Sequence, residues 1–270
     1  MSAAHPYLVA LGFFDDWDAT AEAARRAGME VLPTGATADP ATLGRLQRRR
    51  TRPWHQQFRV ATYGDPSGAR ICFIESAGAP PEAALTVSGG AHAHATVEAF
   101  QIMPGLAAVD IFDGGQLFTR ILASVDDPHM YPWFSLNSVG APARHEDFRL
   151  GAIANEVSVY DSVDAWAAAR GRPDSGARIG PRFVASNWLF ALAAGDATAE
   201  EANPIAVFKA ICGRVEALTN RLTGRQWYRV DADCGFPCTL ALPIDVKTAP
   251  REGSVVDGNA YLTGTTGFWD

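Results

Sequence analysis

The alternation of apolar and polar positions changes along the chain, from mixed strand and helix at the start to strands over most of the remainder. Tyr7 to Phe14 is an apolar run that predicts a strand. Asp16 stands where a helix cap is needed, ahead of a helix from Trp17 to Ala27 that Gly28 ends. Asp39-Pro40 opens a second helix, with Leu43 and Leu46 inward and a basic cluster at Arg45, Arg48, Arg49, Arg50 and Arg52. From Phe58 the pattern is that of strands: Phe58 to Tyr63 and Ala69 to Glu75 pair across the turn-forming Gly64-Asp65-Pro66-Ser67-Gly68. His94 to Met103, Leu106 to Phe112 and Gln116 to Ser124 follow, the last two joined by the hairpin signal Asp113-Gly114-Gly115. These runs predict one antiparallel sheet with the early helices over its face. Asp126 to Gly151, punctuated by proline, glycine and histidine, predicts a long irregular connection. Val157 to Tyr160 predicts a short strand, and Asp161 a cap for a helix over Ser162 to Arg170.

Gly171 to Gly180 carries Pro173 and mixed charge and predicts a linker. Phe183 to Ala193 is apolar, suited to packing between two halves, and Thr198 with Glu201 makes a capping box that Pro204 terminates. Beyond it, Ala206 to Thr219 predicts a long strand that must bend at Gly213. The turn Asn220-Arg221-Leu222-Thr223-Gly224 leads to a strand over Gln226 to Asp233, and Gly235-Phe236-Pro237 to one over Cys238 to Leu242. A last strand covers Ser254 to Gly264. This order resembles the oligonucleotide/oligosaccharide-binding (OB) fold, a five-stranded barrel. The Asn-x-Leu-Thr-Gly turn and the closing Gly-x4-Gly-x2-Tyr-Leu-Thr-Gly stretch also resemble the ends of uncharacterised bacterial proteins. The expected class is therefore α+β: an amino-terminal helix-covered antiparallel sheet over residues 1–170, a linker and interdomain segment over 171–202, and an OB-like barrel over 203–270.

Composition narrows the partners. A chain of 270 residues that is 47% hydrophobic and 20% charged has the make-up of a folded globular protein with room for two units. Its longest apolar stretch, Phe183 to Ala194, is too short to span a bilayer, and Met1 to His5 lack the basic start of a signal peptide, so the expectation is a cytoplasmic protein without a membrane partner. Only Lys209 and Lys247 among the 23 basic residues are lysine, which with abundant alanine and glycine points to a GC-rich bacterial source. A net charge of −7 makes nucleic acid an unlikely partner, because phosphate neutralisation supplies most of that affinity. Cys72, Cys212, Cys234 and Cys238 are too few for a disulfide scaffold, and their spacing fits buried free thiols better than a zinc site.

Three groups of residues carry candidate chemistry. On a strand, His92 and His94 share a face with Glu98, two imidazoles and a carboxylate suited to a divalent metal. The run His92-x-His94-x3-Glu98-x6-Gly105 resembles the first metal-binding motif of cupins, which implies a metal-dependent enzyme with a divalent cofactor. Asp126-Asp127-Pro128-His129 could supply an acid, a base and a ligand, although aspartates at a proline turn more often bond their own backbone. In the barrel region, alternation sends Tyr228, Val230 and Ala232 inward and Trp227, Arg229 and Asp231 outward. Trp227 and Arg229, with Arg225 at the edge and Arg214 on the adjoining strand, then form a platform for a protein or small-molecule ligand. Packing of Trp227 against the other half of the chain is the competing reading. The leading expectation is a non-catalytic binding or interaction protein with no cofactor. The metal-dependent enzyme is the alternative, and single-stranded nucleic-acid binding comes third.

Overall fold

The computed structural model describes residues 6–32, 58–76, 82–89, 94–137, 140–170 and 179–270. The expected helix at Asp39-Pro40, the Arg45 to Arg52 cluster, His92 and most of the Gly171 to Gly180 linker lie outside the described residues. Helix α1 (Trp17–Ala27) begins as its sequence dictates, with the Asp16 carboxylate accepting from the Ala19 N–H at 2.7 Å. A first sheet follows, with β1 (Glu30–Leu32), β2 (Phe58–Gly64), β3 (Ala69–Ser76) and β4 (Glu82–Val87) adjacent in that order and all antiparallel.

The second sheet holds β5 (His94–Met103), β6 (Leu106–Asp113), β7 (Gln116–Val125) and β8 (Ala143–Ile153), then the short β9 (Val157–Tyr160). After α2 (Val163–Arg170), β10 (Phe183–Ala185) and α3 (Asn187–Ala194) it continues with β11 (Ile205–Thr219), β12 (Gln226–Asp233), β13 (Pro237–Pro243) and β14 (Val255–Thr265). Eight of these strands close a barrel in the order β11, β12, β13, β8, β5, β6, β7, β14, with β14 returning to β11. β10 and β9 add to its edges.

The barrel is built from the same four-strand motif used twice. β5, β6 and β7 form an antiparallel meander and β8 comes back beside β5; β11, β12 and β13 do the same, and β14 comes back beside β11. Each fourth strand then continues parallel to the third strand of the other motif, β8 along β13 and β14 along β7. The two fourth strands also pair with each other, Leu262 opposite Ala152 and Thr265 opposite Arg149. Neither motif can close alone, because the free edge of its third strand is filled by the other.

The expected five-stranded barrel over 203–270 is thereby corrected to eight strands, four of them from residues 94–153. The single antiparallel sheet expected over 58–125 is two sheets, split between β4 and β5. The connection expected over Asp126 to Gly151 contains most of β8, whose exposed polar first half, Arg144, Glu146 and Asp147, hides the inward row His145, Phe148, Leu150 and Ala152. Tyr7 to Phe14 is not a strand: a 3-10 turn at Val9–Leu11 ends where Gly12, at φ 70°, donates to the Val9 carbonyl. α2 is capped by the Ser162 hydroxyl, which accepts from the Ala165 N–H at 3.1 Å, rather than by Asp161. The bend expected at Gly213 is present as a register shift between Cys212 and Val215.

Packing follows from alternation. Val97, Val109, Ile121, Phe148, Phe208, Val230, Leu240 and Leu262 fill the barrel from both motifs. The four-stranded sheet lies against its outer wall, where Ile71, Leu85 and Val87 meet Leu8, Leu11, Phe13, Trp227, Ala241 and Tyr261. α1 covers that sheet, its Trp17 ring edge-on to Phe73 at 5.4 Å, and Leu192 of α3 covers β5 to β7.

Candidate ligand-binding site

Alternation on β12 is as the sequence predicts, yet its outer face is covered where Trp227 stands. Trp227 is fully buried, and its indole N–H donates to the Ser67 hydroxyl at 3.2 Å. This burial corrects the exposed stacking platform. The other residues expected on that platform separate. Arg225 reaches the Phe13 carbonyl at 3.2 Å and lies over the Phe14 ring at 5.4 Å. Arg214 is largely exposed and pairs with Glu216, which also takes Arg229 at 2.7 Å.

Arg229 does line a cleft, one the sequence did not indicate. Arg70 from β3, Arg149 from β8 and Arg229 from β12 converge on a polar hollow of about 400 Å³ between the four-stranded sheet and the barrel. Glycines shape its wall. A Cβ on Gly68 (φ 95°) would stand 2.2 Å from the Ser88 carbonyl, and one on Gly89 (φ 103°) 2.6 Å from Arg229 Nη1. Glu30 and Asp65 also line the cleft. The Asp65 carboxylate is engaged, accepting from the Ser67 N–H and hydroxyl at 3.0 and 2.6 Å and from the Arg221 N–H at 2.8 Å. Asp270 enters the cleft from the segment after β14: one carboxylate oxygen accepts from Arg70 Nη2 at 3.0 Å and the other from Arg149 Nη1.

Behind Arg70 lies a buried acid pair at the end of β7. Asp126 takes the Thr86 hydroxyl at 3.0 Å and Arg70 Nε at 3.3 Å. Asp127 takes the Tyr131 hydroxyl at 2.6 Å and both the N–H and hydroxyl of Thr266 at 2.8 and 2.5 Å. The Trp269 indole donates to the Asp126 carbonyl at 2.8 Å, so the segment after β14 lies across both acids. Burial, and then the neighbouring Asp127 charge, push the Asp126 carboxyl up to about 7, against the pull of Arg70. Burial also raises Asp127 and holds the Cys72 thiol well above its usual range. It lowers His129 and His145 to about 4, so both are neutral imidazoles near pH 7. Asp126 and Asp127 are sealed from solvent. Asp126 holds the Arg70 guanidinium, whose other end faces the cleft, while Asp127 ties Tyr131 to the segment after β14.

The metal candidates do not assemble among the described residues. His94 Nδ1 pairs with Asp147, and Glu98 with Arg144 at 3.5 Å, so both side chains are directed to β8. No group of three or more His, Cys, Asp or Glu among the described residues is arranged to hold a metal ion. Cys234 and Cys238 approach to 3.8 Å between sulfurs, and all four cysteines are free and buried. No helix among the described residues is long and apolar enough to cross a membrane.

Comparison with family models, with curated proteins and with solved structures gave no match in any of the three. Arg70, Arg149 and Asp270 have no local signature, since the arginines stand on separate strands, Asp270 follows β14, and the three meet only through the packing of sheet on barrel. The one local signal was glycine, at Gly68 and Gly89.

Proposed function

We propose that the protein is a non-catalytic binding module whose cleft holds a small anionic ligand between Arg70, Arg149 and Arg229. One observation carries the reading: in a chain of net charge −7, three arginines from three strands share one polar cleft. Guanidinium groups suit this task because they are always charged and match carboxylate or phosphate oxygens with parallel N–H donors. The acids behind Arg70 are sealed from solvent, which favours binding over catalysis. The unbridged thiols accord with a cytoplasmic, reducing location. Burial of Trp227 removes the stacking residue on which the single-stranded nucleic-acid reading relied.

The test is a melting screen against small anions, neutral analogues and cations. Stabilisation confined to anions, and reduced in Arg149→Gln and Arg229→Gln, is the expected result. Stabilisation by neutral compounds alone, or none by any anion, contradicts it.

A further inference from the structure

We propose that the cleft is a receptor for a carboxylate group, that Asp270 occupies it as a tethered stand-in, and that a small carboxylic acid binds by displacing the Asp270 side chain. The inference rests on the anion-binding reading above and adds the ligand class and its intrinsic competitor.

The geometry around Asp270 is that of a ligand. Its two carboxylate oxygens go to two different guanidiniums, Oδ1 to Arg70 and Oδ2 to Arg149, so one planar group is clasped from both sides. Arg70 is fixed independently of Asp270, and Arg149 is confined by close packing. Arg70 is held from behind by Asp126 at 3.3 Å and its side chain is only 11% exposed. Arg149 lies flat under Gly267, where an added Cβ would come within 3.1 Å of the guanidinium carbon at φ 76°. A guanidinium anchored as Arg70 is binds a carboxylate without first having to order its own side chain.

The Asp270 backbone is tied down, its N–H donating to the Gly267 carbonyl at 3.2 Å, but its side chain is held through the two arginines. Its side chain is 36% exposed, while its neighbours are anchored elsewhere, Trp269 on the Asp126 carbonyl and Thr266 on Asp127. The side chain can therefore swing out while the segment that carries it stays in place. A tethered group competes at an effective concentration set by its short leash, of millimolar order for flexible tethers. An incoming acid must outcompete it, and its apparent affinity is reduced by the fraction of molecules whose cleft is open. Arg229 stands elsewhere on the same cleft with Glu216 as its acidic partner. A ligand with a second anionic end thus finds a further guanidinium.

The experiment titrates succinate and, separately, inorganic phosphate into the parent protein, Asp270→Asn, and the double variant Asp270→Asn, Arg149→Gln. The expected result is that Asp270→Asn binds succinate on the order of tenfold more tightly than the parent, that phosphate gains less, and that the double variant loses the gain. Equal succinate affinity in the parent and Asp270→Asn overturns the displacement while leaving anion binding intact. A gain for phosphate and not for succinate overturns the carboxylate assignment. Absence of binding by either anion in every variant removes the proposed function itself, and the inference with it. A measurement on the parent guards against a folding defect in the variants: the Asp270 side-chain carboxyl carbon resonance should shift as succinate saturates the cleft. An unmoved resonance at saturation overturns the proposal.

Discussion

Trp227 on the barrel donates its indole N–H to the hydroxyl of Ser67, in the turn between β2 and β3, at 3.2 Å, and this contact joins the two layers within their shared buried cluster. The hydroxyl passes the interaction on to Asp65 at 2.6 Å. The ring itself is seated among Leu8, Leu11 and Phe13, with the backbone of Gly12 so close that a Cβ there would come within 3.0 Å of Trp227 Cδ1. Trp227→Ala should cost about 3–5 kcal/mol of unfolding free energy, as expected for a buried large aromatic. Denaturant titration measures it. A loss below about 1 kcal/mol would mean that the seam tolerates an empty site, against the packing described.

Asp65 is the polar counterpart of Trp227. Its carboxylate accepts from Ser67 within its own turn and from the Arg221 N–H of the facing barrel turn, so it welds the loop that carries Gly68 to the turn at Asn220. In Asp65→Ala each buried donor left without a partner costs about 1–3 kcal/mol. The loop shaping the cleft should loosen at the same time. Hydrogen exchange at Ser67 and Arg221 reads this directly: faster exchange at both is expected, and unchanged protection would show that the carboxylate is dispensable.

Asp126 makes the stability depend on pH in a direction opposite to that of a salt-bridged surface acid. Its folded-state pKa, raised to about 7, lies above the ordinary carboxylate value, so the folded state holds a proton that the unfolded state releases. Its contribution is thus present at low pH and is lost as pH rises toward and through about 7. His129 and His145, lowered to about 4, act with the opposite sign, and their contribution is lost as pH falls toward 4. The difference in melting temperature between Asp126→Asn and the parent isolates the first effect. Asp126→Asn should gain on the parent from pH 4 to 8, and a difference that is flat or falling over this range contradicts the raised pKa.

The swapped fourth strands forbid an independent second half. Residues 197–270 alone would leave β13 without β8 and β14 without β7 and β8, and would expose Phe208, Val230 and Leu240 to water. Two open edges beside an apolar face favour aggregation over folding. The fragment should fail to melt cooperatively by itself and should co-purify with residues 1–196 when the two are expressed together. A monomeric fragment with a cooperative transition would contradict the shared barrel.

Local physics was readable from the sequence, and remote pairing was not. The Asp16 cap, the strand pairs flanking the Gly64 to Gly68 and Asp113 to Gly115 turns, and the bulge at Gly213 each depend on residues a few positions apart, and each is present in the structure. The alternation of β12 correctly separated Val230 and Ala232 from Trp227 and Arg229. It could not say that residues 8–13 would cover Trp227, because that contact spans over two hundred positions. β8 escaped notice because its first half is polar and its pairing with β5 shifts register between Ala95 and Val97, which breaks the alternation. The duplicated motif escaped because β11 is 15 residues long where β5 is 10, so the two halves share no fixed period.

Isothermal titration of succinate into the parent protein and into Arg149→Gln, at one fixed ionic strength, tests the arginine cleft most directly. Arg149 is one of the two guanidiniums that clasp a carboxylate oxygen, so the substitution removes one contact of the proposed ligand. The account predicts saturable binding to the parent and an affinity lower by roughly tenfold or more in Arg149→Gln, the loss expected when one charge-assisted hydrogen-bonding partner is removed. The same affinity in both proteins would contradict it.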